Sequence, residues 1–127
     1  EAGVDIMYAE RAGVVDACRE KGILAFGNVN DMNKEENGTD VVVTSALWHM
    51  ESAIDHAIER VKAGTFSAEE YHHWTMMAKG GASLAPYYEF DSKISSDLKA
   101  QISGLAADIK AGKFTVEIID DEPKSTF

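Results

Sequence analysis

The sequence predicts an α/β fold. Apolar runs short enough to be strands occur at Val4–Tyr8, Ile23–Phe26 and Val41–Val43. Helical patterns alternate with them, and a glycine or a polar loop closes each unit. Such short runs separated by helices indicate a mostly parallel sheet with helices on both faces, because parallel strands need crossover connections and are buried on both sides.

The first run leads into Ala9-Glu10-Arg11-Ala12-Gly13. From Val14 to Lys21, Val14, Val15 and Cys18 fall on one helical stripe. Lys21 in the last turn and Gly22 beyond it make a helix stop, since a cation suits the negative helix end and glycine adopts the left-handed conformation. The second run ends at Gly27, and a polar loop rich in Asn, Asp, Glu and Gly follows from Asn28 to Asp40. After the third run, Thr44-Ser45 can cap a helix. That helix, about Ala46 to Ala63, carries Leu47, Met50, Ile54, Ile58 and Val61 at three- and four-residue spacing. Tyr71 to Phe90 reads as irregular or strand-like, interrupted by Gly80-Gly81 and Pro86. A second long helix, about Ser96 to Ala111, places Leu98, Ile102, Leu105 and Ile109 on one face. Both long helices end in Lys-Ala-Gly-x-Phe, a common helix stop rather than an internal repeat. The alternation from Phe114 to Ile119 predicts a last strand, and the acidic end from Asp120 is expected to fray.

At 127 residues the length fits one domain able to bury a core without disulfides or metal. No apolar run approaches the roughly 18 residues of a membrane helix. The net charge of -10 argues against a nucleic-acid polymer as partner, because phosphate binding needs clustered Lys and Arg. It leaves a neutral nucleobase open. The lone Cys18 excludes an intrachain disulfide and fits cytosol or periplasm equally. The chain opens on a strand pattern with no signal peptide or lipobox before Glu1, so it is expected to be cut from something longer.

In open α/β sheets, ligands bind beyond the carboxyl ends of the strands. That rule selects Tyr8, Glu10 and Arg11, then Asn28 and Asn30 beside Gly27 and Asp31, then Thr44, Ser45 and, one helical turn on, Trp48. Two aromatic faces, a carboxylate, two amides and hydroxyls suit a flat, neutral, hydrogen-bonding ligand better than a phosphorylated one. A Trp face contributes about 1–3 kcal/mol of stacking per base. Each residue also has a structural reading. Tyr8 and Trp48 serve equally as packing, Glu10 and Arg11 as dipole partner and surface charge, and Asn28 and Asn30 as turn formers.

His49 and His56 are seven apart and His72-His73 adjacent, neither being the i, i+4 pair with a carboxylate that a zinc helix needs. Cys18 reads as a packed thiol. No GxSxG, P-loop or GxGxxG occurs. With no set of nucleophile, base and oxyanion donors, the expectation is a binding protein, not an enzyme, with no cofactor and no metal.

The order GVDIMYAE, a helix ending REKGILAFG, VVVTSALWHMESAIDHAIERVKAGTF, KGGASLAPY and a closing helix ending AGKF resembles the C-terminal portion of basic membrane protein family solute-binding proteins. The resemblance covers nearly all of the chain and lies in the series rather than in one motif. The ending EPKSTF is similar to the subgroup associated with purine uptake. The resemblance implies a type I periplasmic-binding fold, with two α/β lobes, several crossovers and a ligand held between the lobes. It implies that residues of about 1–43 and 82–127 belong to one lobe and about 46–78 cross to the other, with Val41–Ser45 and Gly80-Gly81 as crossovers. It further implies a periplasmic or cell-surface lipoprotein that delivers purine bases or nucleosides to an ABC permease. Membrane contact would be only through an N-terminal lipid anchor that this chain does not contain.

Nucleoside binders of that family carry an acidic residue shortly after the glycine ending the second strand, and tend to carry Lys where this chain has Trp48. Here Gly27-Asn28-Val29-Asn30-Asp31 and Trp48 depart from the pattern, which favours an Asn reading the base and a free nucleobase as ligand. The other expectation is a regulatory or sensory small-molecule domain on the same fold.

Overall fold

The computed structural model describes residues 3–35, 37–70, 76–117 and 121. Its elements run β1 (Ile6–Ala9), α1 (Val14–Lys21), β2 (Leu24–Val29), α2 (Met32–Glu35), β3 (Val42–Trp48), α3 (Glu51–Lys62), β4 (Ala82–Leu84) and α4 (Ser96–Lys110). The strands form one sheet in the order β1-β2-β3-β4. β1, β2 and β3 are parallel and β4 is antiparallel to β3. The α/β class with a mostly parallel sheet is the one that the alternation predicts.

α1 occupies the span read from its stripe. Gly22 caps it at φ 66°, its N–H donating to Arg19 O. Val15 and Cys18 turn inward and meet Ala9, Ala25, Met32, Val41 and Val42 in the core. Ala9 and Ala25 are the strand positions under the helix, so the small side chains let α1 sit close to the sheet. Burying Val15 and Val42 contributes roughly 1.5–3 kcal/mol apiece. The opposite face of the sheet, carrying Ile6, Tyr8, Leu24 and Phe26, keeps substantial exposure. α4 lies over part of that face, and none of its residues is fully buried.

Several boundaries differ from the sequence reading. The first strand is displaced to Ile6–Ala9, and the second continues through Gly27 and Asn28 to Val29. The polar loop contains α2 and a 3-10 turn at Gly38–Asp40. The largest correction concerns Ala46, Leu47 and Trp48, read as the start of a helix and found in β3. Thr44 and Ser45 therefore cap nothing, and the helix begins at Glu51. The cause lies far downstream: β4 pairs Ala46, Leu47 and Trp48 with Leu84, Ser83 and Ala82. The Thr44 hydroxyl adds a bond to Ala85 O at 2.7 Å, and Ala85 N–H donates to Ser45 O at 2.9 Å. Only Ile54, Ile58 and Val61 of the expected stripe are helical.

α4 ends at Lys110, one residue short of its expected bound, with Gly112 left-handed at φ 70°. Residues 114–117 are not a strand. The rest of that expected strand, His72-His73 and the EPKSTF ending lie outside the described residues.

Candidate functional site

A parallel sheet gathers its strand ends on one edge, and here that edge is formed by Tyr8 and Ala9 of β1, Asn28 and Val29 of β2, and Ala46 to Trp48 of β3. Side chains alternate between faces along a strand. Tyr8 pairs with Phe26, so Asn28, two residues on, shares their face. The β2–β3 register then slips: Ala25 pairs with Val42 but Gly27 with Ser45, leaving one extra residue in β3. This bulge reverses the alternation. It turns Ser45 onto the covered face and brings Ala46 and Trp48 round to the face of Tyr8 and Asn28.

The Tyr8 hydroxyl donates to Asn28 Oδ1 at 2.8 Å. Asn28 is only 8% exposed, whereas Tyr8 is 53% and Trp48 57% exposed. Asn28 is thus nearly covered, while the two aromatic residues on its face stay open. His49 lies just past Trp48 and its Nε2 is 2.7 Å from Ser83 Oγ, tying the end of β3 to β4.

The other predicted residues are placed differently. Ser45 is fully buried, and its Oγ accepts the Met32 N–H at 3.2 Å. No ligand reaches it in this conformation. Asn30 is exposed; its N–H donates to Asn28 O at 2.8 Å and its carbonyl accepts from Met32 N at 2.9 Å, which is a turn. Glu10 and Arg11 pair with each other at 3.0 Å on open surface.

Sequence reasoning missed a second cluster beside the amide. Tyr88, which follows β4, donates its hydroxyl to Asp31 Oδ2 at 2.5 Å. Asp31 Oδ1 is buried and has no hydrogen-bond partner among the described residues. Lys34 Nζ lies 4.8 Å from the centre of the Tyr88 ring. Hydrogen bonding to Tyr88 is the main cause that holds the Lys34 pKa above its ordinary value. Together these residues bolt the loop after β2 to the segment after β4. Tyr88 holds φ 45°, a conformation uncommon outside glycine and asparagine, and no local pattern announces it. Asp31 was visible in the sequence as a polar residue past a strand, but its partner 57 residues away was not.

A cavity of about 400 Å³ opens between this face of the sheet and α4. Tyr8, Phe26 and Val43 form its floor and Tyr87, Leu98 and Ile102 its far wall. Its volume lies in the range of small-molecule sites. Tyr8 belongs to both features, its ring to the cavity and its hydroxyl to Asn28. Among the described residues no group of His, Cys, Asp and Glu is placed to hold a metal ion, and no helix is long and apolar enough to cross a membrane.

No protein-family model and no curated protein sequence matches the chain. Solved structures do. A transcriptional activator of the comK gene from Bacillus halodurans is 23% identical with a TM-score of 0.65, over 87% of this chain and 38% of that one. An ABC transporter solute-binding protein from Conexibacter woesei is 17% identical with a TM-score of 0.58, over 91% of this chain and 38% of that one. The chain therefore spans about two-fifths of the length of either structure. At these identities the likeness is one of fold, and the fold is a periplasmic-binding-protein-like α/β sheet with helices on both faces.

Proposed function

We propose that this chain is part of the ligand-binding component of an ABC importer, capturing a purine base or nucleoside at the strand-end edge without chemical turnover. The observation that carries the reading is the shared face of Tyr8, Asn28 and Trp48, which the β3 bulge creates. Two exposed rings supply stacking, and a nearly buried amide supplies directional hydrogen bonds, the combination that a flat neutral heterocycle requires. The solute-binding neighbour and the resemblance to the basic membrane protein family support a transport role. On this reading the protein is extracytoplasmic and lipid-anchored, and closure of a second lobe over the ligand presents a docking surface to the permease.

The test is calorimetry on the full-length protein with adenine, hypoxanthine, guanine and their nucleosides. Trp48→Ala is expected to weaken binding by roughly 5- to 150-fold, the equivalent of one lost stack. Tight binding of a sugar or amino acid, and of none of these purines, overturns the reading. Unchanged affinity in the Trp48 variant removes that residue from the site.

The likeness to a transcriptional activator favours a second reading, a regulatory small-molecule domain of the same fold. Cell fractionation separates the two. Recovery in the envelope or periplasm supports the importer, and recovery in the cytoplasm supports the regulator.

A further inference from the structure

Asn28 reaches the site with two chemically opposite ends, a carbonyl oxygen that accepts and an NH2 group that donates. The hydrogen bond from the Tyr8 hydroxyl at 2.8 Å occupies the oxygen end. A phenol donates far better than it accepts, so the pair favours this orientation over the flipped amide. The NH2 end takes no part in that bond. Asn28 as a whole residue is 8% exposed.

We infer that Tyr8 is a positioning residue that sets the hydrogen-bond polarity of the site. It holds Asn28 with its donor end towards the ligand, so that the site selects a purine with an acceptor at the 6-position over one with a donor there. The inference rests on the purine reading above and adds its direction. A 6-oxopurine presents two adjacent acceptors, O6 and N7, on one edge, whereas adenine presents the N7 acceptor beside an amino donor. Against a fixed amide NH2, the amino group of adenine meets donor with donor and leaves both poorly satisfied. The expected preference is about tenfold or more. Nothing in Trp48 or the Tyr8 ring opposes it, because stacking tolerates either base.

Titration of the full-length protein with hypoxanthine and with adenine tests this directly. Wild type is expected to bind hypoxanthine at least about tenfold more tightly. Tyr8→Phe keeps the ring and removes the donor, so Asn28 is free to turn either end outward. The preference is then expected to shrink to within about threefold, chiefly through tighter adenine binding. Asn28→Asp replaces the donor by an acceptor and is expected to reverse the preference. Far-ultraviolet circular dichroism and melting confirm that each variant folds. If Tyr8→Phe weakens both ligands equally, Tyr8 acts only by packing and the inference fails while the purine reading stands. A wild-type preference for adenine has the same consequence. Binding of neither purine sinks both.

Discussion

A methyl group on Gly27 would lie 2.1 Å from Ser45 Oγ, 2.9 Å from Ser45 Cβ and 3.1 Å from Met32 Cβ. Real carbon contacts do not come so close, and Ser45 is held by the Met32 N–H and by the ladder, so the strands must part. Gly27→Ala is expected to cost on the order of 1–3 kcal/mol, the usual penalty of overpacking. It should lower the melting temperature by several degrees and loosen the register that aims Trp48. A melting curve unchanged within a degree would show that the strands yield freely. Charge gives a second residue-scale expectation. The Arg19 guanidinium grips Asp40 at 3.0 Å and holds its carboxyl below the usual carboxylate range, first by hydrogen bonding. A depressed folded pKa stabilises above the unfolded value and loses that contribution as pH falls through the folded one. Asp40→Asn should therefore lower the melting temperature slightly at neutral pH, with the gap from wild type closing below about pH 4. A gap independent of pH would assign the effect to packing.

α4 shows how an element can be legible in sequence and still loosely held. Its bounds followed from the 3.6-residue stripe and the Lys-Ala-Gly stop, both local signals, but none of its residues is fully buried. Ser95 Oγ accepts the Leu98 N–H at 3.2 Å, so Ser95→Ala should destabilise the helix by about 1 kcal/mol. Gly104 sits mid-helix with open space where its Cβ would be. Gly104→Ala should stabilise α4 by a similar amount, since alanine loses less backbone entropy. Because the helix is weakly tethered, both changes should appear as faster or slower amide exchange confined to α4. Equal changes across the β-sheet amides would contradict the local assignment. β3 behaves in the opposite way. Its first half was read from Val41–Val43, whereas its second half depends on β4, which adds no signal within any helix-sized window. Leu47, Met50 and Ile54 follow helical spacing by composition, and tertiary pairing overrides it for the first. For the same reason Asn28 and Trp48 could be named from the sequence, but their common face could not. That face depends on one extra residue in the β2–β3 register.

At the scale of the whole chain, many large apolar side chains among the described residues stay open to water. They include Ile6, Phe26 and Leu84 on the sheet and Ile54, Ile58 and Val61 on α3. Large apolar side chains left open along one face mark a contact region. The matched structures are more than twice as long as this chain. On the proposed two-lobe reading, α3 packs against the part of the receptor that lies outside this chain, and the ligand needs both lobes. Ile58 separates the alternatives, since it is 44% exposed here. In the full-length protein Ile58→Glu should place an unpaired charge in an apolar contact and cost a few kcal/mol. In the isolated chain the same change should be nearly neutral and should reduce binding of a hydrophobic dye. The isolated chain should also bind hypoxanthine weakly or not at all. Equal, small effects of Ile58→Glu in both forms, or micromolar binding by the chain alone, would mean that these 127 residues form a complete receptor whose apolar faces stay open to water.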